Sequence, residues 1–267
     1  MTEATTGEYL ARARAELRAR QGRGAREDAP NAPHAELFWA RTGTAYFARK
    51  LGELADAGPE GLDGPSLLPG WDRRALTAHV GYNARALTRL CAWARTGVVT
   101  PMYATPERRA AEIAEGASLP ARALRHLVAH AEVHLNVEWR DLPPAAWDAE
   151  IRTAQGRTVP ARETAWMRAR EVWVHAVDLG NGGTFRDVPP AMLDRLAADV
   201  LAAWRRRGED APALVLAPTD RDDALTTQGR DPLTVTGTMA DLVRWLTGRG
   251  TGGLTAPAPL PALPRWF

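Results

Sequence analysis

The chain has 267 residues, 45% of them hydrophobic and 25% charged, with a formal net charge of +2. That much apolar side chain fills one large core or two modest ones, and a near-balanced charge with no basic stripe interleaved with aromatics argues against a nucleic-acid surface. Its one cysteine, Cys91, rules out an internal disulfide and fits a reducing compartment; no apolar run is long enough for a membrane and the N-terminus lacks the apolar centre of a signal peptide, so a cytoplasmic protein is expected.

Residues 1–33 are polar and rich in Ala and Arg, and they end in GRGAREDAPNAP. They read as a flexible N-terminal extension, with a short helix over 7–20 and a mobile linker after it. The first strong helix is expected from about Ala35 to Ala57, with Leu37, Phe38, Ala45, Phe47 and Leu51 as its apolar stripe. The Gly- and Pro-dense loop GPEGLDGPSLLPGW cannot continue it. Asp72 is placed to N-cap a second helix over 73–96, which Gly97 ends. Cys91 shares a face of that helix with Leu87, Leu90 and Ala94, which makes it a core thiol and not a nucleophile. Short helical patterns follow TPMYATPE, then a third long helix from about Pro120 to Arg140. DLPPAAWD is a loop whose tryptophan packs on the bundle, and 151–160 is extended or irregular. The fourth long helix runs from Thr164 to Leu179, stopped by the glycines at 180, 182 and 183.

Four long amphipathic helices with irregular loops predict a mainly α fold, a four-helix bundle over 34–183. The tail differs. A helix over 190–207, short strands in ALVLAPTD, DALTTQG and LTVTG, and a last helix in TMADLVRWLTGRG predict a small α+β unit over 184–267.

The sharpest local feature is REVWVHAVD on the fourth helix. Glu171 and His175 are one helical turn apart on one face, close enough to hold the same ion. A third ligand must come from another helix, and His79 in LTAHVGYNA is the natural candidate. Two imidazoles and one carboxylate leave a tetrahedral ion one open position, the pattern of catalytic zinc. The competing reading is a surface salt bridge between Glu171 and His175. His126, His130 and His134 on the third long helix are rival ligands, but their spacing drifts around the helix, and partly exposed histidines on a polar face are the blander account.

The segments SLLPGWDRRALTAHVGYNARAL, ARTG, RTVPARETAWMRAREVWVHAVDLG and WLTGRG, with the closing LPRWF, resemble the mycothiol-dependent maleylpyruvate isomerases. The resemblance covers nearly everything from Ala35 onward. It implies a DinB-like bundle followed by a small domain similar to sterol-carrier proteins, and a zinc or other divalent metal held by His79, Glu171 and His175. It also implies a functional arginine, which falls on Arg249 in WLTGRG, with Arg221 in PTDRDD as a weaker candidate. The chain departs from the family's Ala-Arg-Asn-Ala-Asp run after the metal histidine, reading Gly81, Tyr82, Asn83, Ala84, Arg85.

By this resemblance the protein is an enzyme using mycothiol as thiol cosubstrate. A metal-ionised thiolate adds to the activated double bond of an unsaturated keto acid, the bond rotates, and the thiol leaves. Arg249 would hold a carboxylate or the developing enolate, with Tyr82 and Asn83 giving further polar contacts to substrate or thiol. Two other functions keep the same metal: a thiol S-transferase that stops at the adduct, and a non-catalytic binding protein. A small-molecule substrate and a thiol are the expected partners, with no nucleic acid and no membrane, for a monomer or small homo-oligomer.

Overall fold

The computed structural model describes residues 27–266. In chain order its bundle contains α1 (His34–Gly52), α2 (Arg73–Thr96), α3 (Pro106–Ala117), α4 (Ala121–Asp141) and α5 (Glu163–Asp178). The capping residues expected for α2 are in place: the Asp72 carboxylate accepts from the Ala75 N–H at 2.7 Å, and Gly97 takes the left-handed conformation at φ 73°. α3 has its own cap, Thr105 accepting from the Arg108 N–H, and proline follows directly at its first position.

α1 packs on α5, and α2 packs on both α4 and α5. The first contact is close because Gly43 faces Trp173: a Cβ added at Gly43 would fall 2.5 Å from the indole. Trp173 also donates its Nε1–H to the Trp39 carbonyl at 2.9 Å, which fixes the register of α1 against the site-bearing helix. Leu76, Leu87, Leu90, Leu135 and Trp147 fill the core, each wholly or almost wholly buried. Cys91 joins them, and burial pushes its thiol up to about 12, so it is an inert core group.

The remainder matches the expected mixed tail. α6 (Pro190–Arg207) precedes β3 (Leu214–Pro218), β4 (Leu225–Thr226), β5 (Leu233–Gly237) and α7 (Met239–Leu246). In the sheet, β3 is central, antiparallel to β4 and parallel to β5. A separate two-stranded ribbon, Glu150–Arg152 (β1) with Thr158–Pro160 (β2), occupies the stretch expected to be extended or irregular, and buried Ile151 pairs with Val159. The fold is mainly α with a small α+β part.

Two expectations need correcting. α1 ends at Gly52, before the projected Ala57, because Asp56, Gly58 and Pro59 break it into turns. Its buried stripe is Leu37, Ala40, Gly43, Phe47 and Leu51; Phe38 is 60% exposed and Ala45 is exposed, since both lie off the face that meets α5. The helix expected over 7–20 lies outside the described residues. Within residues 27–33, Asp28 is gripped by Arg41 through two hydrogen bonds of 2.6 and 2.7 Å, and Asn31 donates to the Pro144 carbonyl.

Candidate metal centre

His79 comes from α2, and Glu171 and His175 from α5. Their ligand atoms lie within 4.8 Å of one another, and this is the metal-competent group of three found among the described residues. Oε1 of Glu171 lies 3.3 Å from Nε2 of His175 and in close contact with Nε2 of His79. The rings are 5.1 Å apart between centroids and nearly perpendicular, so both nitrogens aim at the same carboxylate. The surface salt bridge weighed against this triplet is excluded by burial: the three side chains are only 9%, 16% and 13% exposed.

The loop after α1 closes over this end of the bundle. Buried Arg73 donates to the carbonyls of Leu179 and Gly61, and the Leu67 N–H donates to the Asp178 carbonyl, so residues 58–72 are tied to the end of α5. That pinning places Trp71 edge-on to His79, with centroids 5.2 Å apart. A large apolar ring there restricts water at the ligand and keeps the local dielectric low.

The donor set fits a divalent ion. Glu171 Oε1 is buried and takes no ordinary hydrogen bond, facing two imidazole nitrogens that a cation would share with it. Two nitrogens and one carboxylate oxygen suit zinc and its divalent neighbours. His175 is also oriented from behind, because its Nδ1 lies 2.8 Å from Oδ2 of Asp178, a fully buried carboxylate. A carboxylate behind a histidine fixes the tautomer that leaves Nε2 free for the ion.

The electrostatics agree. Burial pushes the Glu171 carboxyl up, but the two imidazoles outweigh it and hold the group well below the usual range. Burial lowers His79. Burial also acts to lower His175, yet the charge on Glu171 and the Asp178 hydrogen bond carry it up to about 9. The proton on His175 therefore competes with a metal at neutral pH, and it competes harder as pH falls. Zinc uptake near pH 7 is expected to release about one proton, with apparent affinity falling roughly tenfold per pH unit below about 9. A chelator-competition titration measures this, and an affinity flat across that range would show that His175 is not a ligand.

Residues 40–180 match the family described as mycothiol maleylpyruvate isomerase N-terminal domain. Among solved structures, the chain is similar to a mycothiol-dependent maleylpyruvate isomerase: 45% identity, TM-score 0.82, covering 87% of this chain and 96% of that one. A histidine-to-alanine mutant of a mycothiol-dependent maleylpyruvate isomerase matches at 44% identity with the same TM-score of 0.82 and the same coverage. No curated protein matches. The chain belongs to the mycothiol-dependent maleylpyruvate isomerase family.

The other residues that sequence singled out are spread more widely around the triad. Arg249 reaches the triad only through Asp178, which it grips with Nε at 3.0 Å and Nη2 at 2.7 Å. Asn83 is buried and accepts from Arg168 at 3.2 Å. Tyr82 packs into a satellite cluster, its ring against Gly116 of α3 and under the Arg85 guanidinium. Arg221 pairs with Asp194 and Asp220, away from the triad. His126, His130 and His134 are exposed on α4, as the blander reading had them.

Sequence reasoning missed Asp178, Arg168 and Arg109. Asp178 follows His175 by three residues, a spacing that places it behind the same ring. Arg168 is 1% exposed, one turn before Glu171, with Nη1 on the Val80 carbonyl and Nε and Nη2 without partners. Nothing in the local pattern separates it from Arg170 of the same helix, which pairs with Asp199. Arg109 approaches from α3, and no spacing rule links it to His79.

Proposed function

We propose that the protein is a thiol-dependent cis–trans isomerase of an unsaturated keto acid of the maleylpyruvate type, with zinc or another divalent metal on His79, Glu171 and His175 and mycothiol as the thiol. The observation that carries this is the buried His/Glu/His group in a chain 45% identical, over 87% of its length, to a mycothiol-dependent maleylpyruvate isomerase. We read residues 34–183 as the metal-binding unit and 184–267 as the small α+β unit.

A divalent ion held there supplies a Lewis acid that keeps a thiol ionised near neutral pH. The thiol supplies the nucleophile that adds to the double bond, permits rotation about the resulting single bond, and leaves. The chain's own residues do the rest. His79, Glu171 and His175 present three ligand atoms from two helices, one fewer than a tetrahedral ion takes. Asp178 holds the His175 ring, and Arg249 holds Asp178, so Arg249 acts as a positioning residue. Asn83 fixes Arg168, whose charge beside Glu171 favours the ionised carboxylate. Tyr82 shapes the wall between α2 and α3 instead of reaching the triad. Trp71 keeps water off His79. Cys91 is too deeply buried to serve as the nucleophile.

The test is turnover of maleylpyruvate with mycothiol, with glutathione and with no thiol. Turnover that requires mycothiol and gives a product of unchanged mass supports the isomerase. A stable adduct of substrate and thiol makes the protein an S-transferase. Metal retention without any turnover reduces it to a binding protein.

A further inference from the structure

Four arginines lie close to the triad or to the groups that support it, and three are hydrogen-bonded to backbone carbonyls or scaffold side chains, although Arg168 keeps Nε and Nη2 without partners. Arg73 serves carbonyls, Arg168 serves the Val80 carbonyl and Asn83, and Arg249 serves Asp178. Arg109 is different. It is half-buried on α3, its Nη2 lies 3.4 Å from Nδ1 of His79, and its guanidinium carbon lies 5.9 Å from the centre of the Tyr103 ring. The Tyr103 side chain also accepts a hydrogen bond from it; both neighbours are uncharged when His79 is neutral, and among the described residues no carboxylate lies within ion-pair distance of it. A partly desolvated guanidinium without an anion is costly, and it marks a place where an anion is expected.

Arg109 and Glu171 face the two different ring nitrogens of His79, Nδ1 and Nε2, so the guanidinium lies immediately beside the metal-competent group.

We propose that Arg109 is the specificity residue that takes a carboxylate of the substrate next to the metal. This rests on the isomerase reading for the identity of the substrate, but not for the presence of an anion site. Arginine suits the task because its planar fork matches a carboxylate with two parallel hydrogen bonds.

The test uses the full-length, zinc-loaded protein and the Arg109→Gln and Arg109→Lys variants. Zinc content is measured first, then the Kd of maleate as an unreactive probe, then kcat and KM for maleylpyruvate and for the thiol. Arg109→Gln is expected to keep its zinc while maleate Kd and maleylpyruvate KM rise about 10–100-fold, with the KM of the thiol unchanged and partial recovery in Arg109→Lys. An unchanged maleate Kd overturns the proposal. So does a rise confined to the thiol KM, or zinc loss in both variants, which would make Arg109 a support for His79. If the wild type binds maleate but does not turn over maleylpyruvate, the isomerase reading fails and the maleate Kd alone decides Arg109. A wild type that binds no maleate overturns it as well.

Discussion

His79→Ala and Glu171→Gln are each expected to purify nearly free of metal and to lose at least ~10³ in kcat/KM, on the order of 4 kcal/mol of transition-state stabilisation. The two changes remove different things. His79→Ala deletes the only ligand from α2, so the site loses its link between helices and keeps two donors on α5. Glu171→Gln keeps the shape but removes the negative charge that both imidazoles face, and a neutral amide oxygen is a poor zinc ligand. Elemental analysis reads the metal, and the thiol-dependent assay reads the rate. Thermal melts keep the result interpretable, because His79 is 7% exposed and its loss opens space in the core. A variant that folds, retains a full equivalent of metal and keeps wild-type turnover would falsify the site.

Much of this centre was legible because helices have a fixed period. The one-turn spacing of Glu171 and His175 needs no tertiary information, and the neighbours Leu76, Val80 and Asn83 mark the side of α2 that His79 occupies as the inward one. The fold class followed in the same way from four periodic apolar segments. What stayed hidden depends on contacts between segments far apart in sequence. Arg249 could be picked out only through the family's WLTGRG motif, and sequence gave no sign that 71 residues earlier Asp178 would occupy its guanidinium. Phe38 and Ala45 looked like core because periodicity locates an apolar face only to within a residue or two; the close approach at Gly43 decides which part of it meets α5. Tyr82 was expected to give a polar contact to substrate or thiol, whereas the side chain packs against α3.

Asp178→Asn and Arg249→Gln are expected to weaken metal affinity about 10–100-fold each, as loss of a carboxylate behind a metal-bound histidine does. Asp178 is fully buried, and its carboxylate answers two cationic partners: the His175 ring at 2.8 Å and the Arg249 guanidinium at 2.7 Å. Burial acts to raise its pKa, but those two partners hold it below the usual carboxylate value, so it stays charged. Arg249→Gln leaves that charge buried with one partner fewer and lets the carboxylate move, and the His175 ring moves with it. Arg249→Lys is the sharper test. Lysine preserves the positive charge but cannot give the two parallel hydrogen bonds, so it should recover only part of the affinity. If Arg249 acts directly on the substrate instead, all Arg249 variants will bind metal like the wild type and differ only in KM for the keto acid. If it acts through Asp178, the Asp178→Asn/Arg249→Gln double variant will be little worse than the weaker single one, because both changes break the same support. Additive losses would separate the two residues and return Arg249 to the substrate.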